Sequence, residues 1–231
     1  LSAGILVAQD IPWAASAEEV GMSSDRLERI NDAMQRHIAA GTIQGAVTAV
    51  ARRGKLVHFE AHGLMSVPDN RPMQRDSLFI MMSSTKPVLG VAAMMLVEEG
   101  LIRPSDPISK WFPEFAEMQV AVLAEPADED ISPVRVSPFN APAHRLVPSD
   151  REITVHDILT HTSGLASGGL GNAFSADSIG RLDSRESLAK NVPEYANVVL
   201  DFQPRSRSQY SPATDLDVIA RNIAIESGVP F

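Results

Sequence analysis

Leu78-Phe79-Ile80-Met81-Met82-Ser83-Ser84-Thr85-Lys86-Pro87 is the stretch on which the fold turns. Five apolar residues run into two serines, and residues 88–97 that follow are apolar on every side of a helix. Such a segment predicts a buried central helix, starting at Ser83 or Ser84 and running to Glu99, with Gly100 as its stop. Pro87 falls in the first turn, where a missing N–H costs little. Ser83 and Lys86 form an S-x-x-K pair. On a helix, residues three apart share a face, so the Lys86 nitrogen is expected to reach the Ser83 oxygen. A serine hydroxyl needs a partner that takes its proton before it attacks. A lysine serves when burial or a nearby cation lowers its pKa. The helix start adds partial positive charge beside Ser83, and the apolar run before it predicts a partly desolvated nucleophile. The plain alternative is a helix N-cap at Ser83 with Lys86 snorkelling to solvent.

About one S-x-x-K arises by chance in a chain this long, and a second is present at Ser187-Leu188-Ala189-Lys190. It lies among Asp183, Arg185 and Glu186, in a polar helical segment at residues 183–190, and reads as a solvated face. Context therefore favours Ser83.

Outward from this segment, Ser23-Ser24-Asp25 precedes a helical pattern of Leu27, Ile30, Met34 and Ile38, with Gly41 as the stop. Residues 46–51 and 56–62 read as strands joined by a turn at Arg52-Arg53-Gly54-Lys55. They are the only clear sheet material, and residues 66–76 read as a loop. Residues 104–149, rich in proline with an acidic patch at 125–130, read as long connections. Thr154 caps a short helix at 155–161, ended by Gly164. Gly168, Gly169 and Gly171 predict a flexible loop. Residues 212–227 form a last helix, with Leu216, Ile219, Ala220 and Ile223 apolar and Gly228 as its end.

The 231 residues suffice for a sizeable core, and the net charge of −9 argues against a nucleic-acid partner, which needs a basic face. With no cysteine, thiol catalysis, disulfides and cysteine-based zinc sites are excluded. That composition fits either cytoplasm or periplasm. Residues 1–17 read as a signal-peptide remnant, with Ala15-Ser16-Ala17 as a small-x-small cleavage pattern, or as a disordered terminus. No later stretch approaches the roughly 20 apolar residues of a membrane span. His156 and His161, five apart, do not share a helix face, so no metal site is expected. No phosphate loop and no G-x-S-x-G elbow is present. No cofactor is called for.

Residues 78–100, then Asp106-Pro107-Ile108 and Trp111-Phe112-Pro113, then Ile153-Thr154-Val155-His156-Asp157-Ile158-Leu159-Thr160-His161-Thr162-Ser163-Gly164-Leu165, come in an order that resembles the class C β-lactamases, their carboxylesterase relatives and the penicillin-binding proteins. Tyr210-Ser211-Pro212 resembles the family's tyrosine motif. The resemblance, spanning residues 24–231, implies an α+β fold. An antiparallel sheet is flanked by helices, with a helical region beside it. Residues 18–78 hold the first helix and hairpin, and residues 79–231 hold the active-site helix and helical region. It implies Ser83 as nucleophile, Lys86 as its activating partner and Tyr210 as a phenol that exchanges protons with Ser83 and the leaving group. A small-molecule ester or amide is the implied partner, and hydrolysis through a Ser83 acyl-enzyme the implied reaction.

Two departures shape the expectation. Pro204-Arg205 stands where the family commonly has Pro-Gly, and Pro212 stands where β-lactamases usually carry Asn. The missing side-chain amide favours a carboxylesterase. A β-lactamase or D-Ala-D-Ala carboxypeptidase is the alternative, and a truncated, non-catalytic binding module is the alternative of another class. The family's third motif, on a later strand, is not found before Phe231, so the chain is expected to be the N-terminal part of a longer enzyme, weak or inactive alone.

Overall fold

The computed structural model describes residues 10–124, 142–165, 167–171, 175 and 186–230. The acidic patch at 125–130, residues 1–9 of the N-terminal stretch, and residues 183–185 of the polar segment lie outside the described residues. The chain divides into two units, residues 1–80 and 81–231.

In the first unit, helix α1 spans Ser24–Ala39. Ser23 caps it, with its hydroxyl accepting from the Arg26 amide, which satisfies one of the helix's orphan donors. Strands β1 (Gly45–Arg52) and β2 (Lys55–Ser66) pair antiparallel, in a register that sets Arg52 opposite Lys55. The two turn residues, Arg53 and Gly54, both have positive φ, 52° and 73°. This is the twist that a two-residue hairpin demands, and glycine supplies half of it without strain. Thr48 faces Glu60 across the pair, so the diagonal neighbours His58 and His62 flank its hydroxyl, at 2.7 and 2.9 Å.

The loop expected at 66–76 holds a third strand, β3 (Arg71–Pro72), on the edge of β2. Proline is at home there, since an edge strand spares it a ladder bond. The stretch before α1 is also held: Leu56 donates to Pro12 O and accepts from the Ala14 amide, and Ala17 is buried.

The second unit carries helix α2 (Thr85–Glu98), entered through a 3₁₀ turn at Met82–Ser84. A 3₁₀ turn at Ile108–Lys110 and another at Pro113–Phe115 lead to β4 (Gln119–Leu123), which pairs antiparallel with β5 (His144–Pro148). Leu200 adds to the other side of β4 through its backbone amide and carbonyl. This small sheet corrects the expectation that the hairpin was the only sheet material. The proline-rich composition hid strands whose partners are far off in sequence. Helices α3 (Val155–Leu159), α4 (Leu188–Glu194) and α5 (Thr214–Ser227) follow. Helix α3 is shorter than its pattern, and α5 begins two residues after Pro212.

The core gathers Phe115, Ile102, Ile153, Leu165 and Leu200, all fully buried, around Leu89, Ala93 and Leu96 of α2 and Val218, Ile219 and Ala220 of α5. Helix α2 is thus buried on one face only. Val88, Val91, Met94 and Met95 are exposed on the other, which corrects the reading of a helix buried all round. Leu78 through Met82 are exposed as well. The glycine-rich stretch expected to be a flexible loop contains a tight backbone contact. A Cβ on Gly171 would stand 2.2 Å from Val199 O, so this is a close approach of two backbones that only glycine permits.

Candidate active site

Ser83 lies in the 3₁₀ turn at the entrance to α2, one residue after Met82, whose φ is +48°. A left-handed backbone at a bulky residue costs of order 1–3 kcal/mol and persists only where surrounding contacts fix it. The N-cap position of α2 is Ser84, where no side-chain cap bond is made, so capping does not engage Ser83. Its Oγ instead lies 2.5 Å from the phenolic oxygen of Tyr210. Both groups are exposed rather than desolvated.

Lys86 sits in the first turn of α2 and does not bond to Ser83. Its Nζ donates to Pro212 O at 2.7 Å and stands 4.8 Å above the centroid of the Tyr210 ring. The helical spacing does put both side chains on one side. The carbonyl that captures the ammonium belongs to the chain just past Tyr210. The three residues expected from the sequence are therefore brought together with Tyr210 at the centre. The phenol of Tyr210 is held below its ordinary range, first by the hydrogen bond with Ser83 and then by the neighbouring Lys86. Both stabilise the phenolate over the phenol. Ser187, the alternative S-x-x-K serine, stands at the start of α4 beside an exposed Lys190–Glu186 ion pair.

Tyr210 precedes α5, and the segment leading to it is tethered to the stretch 157–165. Arg205 donates its amide to Thr162 O, and Gln209 donates its amide to His161 O, at 2.8 and 2.9 Å. Arg205 has φ +73°, so the position where the resemblance called for glycine is left-handed in this chain too, with an arginine bearing the strain. Its Nε reaches Asp157 Oδ1 at 3.5 Å.

Asp157 is fully buried and holds this region together. Its carboxylate accepts from Arg151 at 2.6 and 2.7 Å, from the Thr154 amide and hydroxyl, and from Thr162 Oγ1. Thr154 and Asp157 form a reciprocal capping box on α3.

Two residues next to Tyr210 escaped the sequence reading. The sequence alone offers His161 only as a metal-ligand candidate with His156, which their spacing rules out. In the structure its Nδ1 lies 3.1 Å from Asp215 Oδ2, and its ring lies against Tyr210, centroids 5.0 Å apart. Asp215 is buried, and that burial raises its pKa against the opposing hydrogen bonds from His161 and Ser163. The only signal for them in the sequence was their closeness to recognisable segments, since the two are 54 residues apart. Among the described residues, no group of three or more His, Asp and Glu side chains is arranged to hold a metal ion, and no helix is long and apolar enough to cross a membrane.

Comparison with known proteins gives this arrangement its setting. The profile of the Beta-lactamase family matches residues 30–231. An uncharacterized protein of Mycobacterium tuberculosis is 38% identical over 195 residues, covering 84% of this chain and 45% of that protein. The esterase EstB of Burkholderia gladioli is 31% identical over 226 residues, covering 94% of this chain and 50% of its own. Among solved structures, EstCE1, described as a hydrolase with promiscuous acyltransferase activity, superposes with a TM-score of 0.68 at 25% identity, over 90% of this chain and 49% of that one. The octameric penicillin-binding-protein homologue of Pyrococcus abyssi shares the fold, with a TM-score of 0.58 at 22% identity over 90% of this chain and 40% of that one. The chain spans about half the length of the curated relatives it matches. Such a match over nearly the whole chain, together with mixed helices and antiparallel sheets of the β-lactamase/transpeptidase type, means that this chain belongs to the Beta-lactamase family of serine hydrolases.

Proposed function

We propose that the protein containing this chain hydrolyses carboxylic esters, short-chain esters foremost, through an acyl-enzyme on Ser83. The observation that carries the reading is the 2.5 Å contact between Ser83 Oγ and Tyr210 OH, with the Lys86 ammonium over the same ring. Tyr210, as phenolate, takes the Ser83 proton while Oγ attacks the ester carbonyl. It then returns the proton to the departing alkoxide, which leaves as the alcohol. In the second half-reaction water attacks the acyl-enzyme and gives a proton to Tyr210, which passes it to Ser83 Oγ as the intermediate collapses, releasing the acid and restoring both the Ser83 hydroxyl and the phenolate. Lys86 keeps the phenolate available by its charge, and its bond to Pro212 O fixes the chain beside Tyr210. This shifts the role foreseen for Lys86, from direct partner of Ser83 to support for the phenol.

The named esterase among the relatives supports the ester class, as does Pro212, which offers no side-chain amide to a substrate amide. The test is labelling with a fluorophosphonate followed by peptide mapping. The adduct is expected on Ser83, to vanish in Ser83→Ala and to persist in Ser187→Ala. An adduct on Ser187 or Ser163 overturns the reading.

A further inference from the structure

We propose that His161 is a positioning residue that, clasped to Asp215, aims Tyr210 at Ser83. The proposal rests on the reading of Ser83 and Tyr210 as the acylating pair.

The contacts close a ring around Tyr210. On one side of it, Gln209 donates its amide to His161 O at 2.9 Å. On the other side, the hydroxyl of Ser211 accepts from the Asp215 amide at 3.3 Å. The His161 and Asp215 side chains then join at 3.1 Å. The residues on both sides of Tyr210 are thus tied to the backbones of His161 and Asp215, Gln209 through its amide and Ser211 through its hydroxyl, and the imidazole packs against the phenol ring at 5.0 Å, tilted by 59°. The Ser211 amide also comes within 3.4 Å of His161 Nδ1. One nitrogen cannot donate to the carboxylate and accept from that amide at once. The shorter of the two contacts is the one to the Asp215 carboxyl.

Asp215 is itself anchored. Ser163 donates its hydroxyl to Oδ1 at 2.7 Å, and the Leu165 amide donates to Ser163 Oγ at 3.1 Å. His161 has φ +56°, a strained backbone that these bonds hold in place. Neither side chain hydrogen-bonds to Ser83 or Lys86, although the Lys86 charge acts on the Asp215 carboxyl through space, and the imidazole is the member of the pair that lies against the phenol ring. An error of about 1 Å in aim costs on the order of 10²-fold in rate, so a rigid seat for Tyr210 has a measurable value.

The experiment compares kcat and KM for a p-nitrophenyl ester, together with thermal unfolding, in the full-length protein and in H161A, H161N and S83A. Asparagine tolerates positive φ and carries an N–H that can reach Asp215. H161A is expected to lower kcat about 10- to 100-fold with KM nearly unchanged, and H161N to recover most of kcat. If H161A fails to fold, H161N decides by the same split: kcat well above a His161→Phe variant, which keeps a ring but loses the bond, supports the proposal. Wild-type kcat in H161A or in His161→Phe overturns it. An equal fall of kcat in H161N and His161→Phe, tracking their unfolding temperatures, also overturns it. If S83A is inactive while H161A keeps wild-type kcat, this proposal alone fails. If S83A turns over ester normally, the assignment of Ser83 fails with it.

Discussion

The hydroxyls of Ser83 and Tyr210, 127 residues apart in the chain, meet at 2.5 Å. One comes from the turn that opens α2 and the other from the segment that precedes α5, and these two helices pack on one another in the core of the second unit. Tyr210→Phe is expected to lower the acylation rate by about 10²- to 10⁴-fold, the range for a general acid–base group, and Lys86→Ala, which removes the charge that favours the phenolate, to lower it as well. Because Lys86 acts through Tyr210, the double variant is expected to lose less than the product of the single losses. Single-turnover kinetics measures this. Full additivity separates the two roles, and near-normal kcat/KM in Tyr210→Phe makes the tyrosine structural.

The pH dependence follows from the lowered pKa of Tyr210. The reactive form is the phenolate, so kcat/KM rises with pH as the phenol ionises. The lowered pKa sets that rising limb below pH ~10, the ordinary tyrosine value. Removing the nearby cation in Lys86→Gln raises the pKa, and the limb is expected to move to higher pH. A pH profile unmoved by Lys86→Gln contradicts the electrostatic role given to that lysine.

Pro212 bears on substrate choice. It gives its carbonyl to Lys86 and has no amide side chain to bind a substrate amide. A p-nitrophenyl acetate or butyrate is therefore expected to have a far larger kcat/KM than nitrocefin. Comparable values for the two substrates refute the ester preference.

Gly90 supplies a stability test away from the chemistry. It lies inside α2, and a Cβ built there meets nothing within 4 Å. Glycine costs a helix interior about 0.5–1 kcal/mol relative to alanine. Gly90→Ala is expected to raise stability by about that much, a Tm gain of roughly 1–4 °C for a chain of this size. A lower Tm means that the exposed side of α2 is covered in the intact protein.

What the sequence disclosed was what local rules encode. The Ser23 cap, the Arg53-Gly54 turn and the Thr154 helix start are written in consecutive residues, and α1, the hairpin and α3 stand close to where those signals put them. Ser83 and Tyr210 were visible as motifs. The partner of Lys86 was not, because the acceptor is a backbone carbonyl that every residue carries. Helix α2 looked buried all round because an apolar composition does not say which faces find neighbours. Strand β4 needs β5 and Leu200, more than twenty residues away, and so left no local alternation strong enough to read. His161 and Asp215 gain their meaning only when α5 folds back beside the stretch after α3.

The packing of α2 on α5 gives the protein a way to be retuned without touching its reacting groups. A small cavity of about 40 Å³ lies between them, lined by Leu89, Gly90, Leu216 and Ile219 and reaching Lys86, His161 and Asp215. Resizing Leu89, Leu216 or Ile219, whose side chains face that gap, is expected to shift one helix start against the other, and with it the spacing of Ser83 and Tyr210. Selection for a new substrate in the laboratory would then collect substitutions in this hidden seam, where a comparison of active-site residues alone would never look.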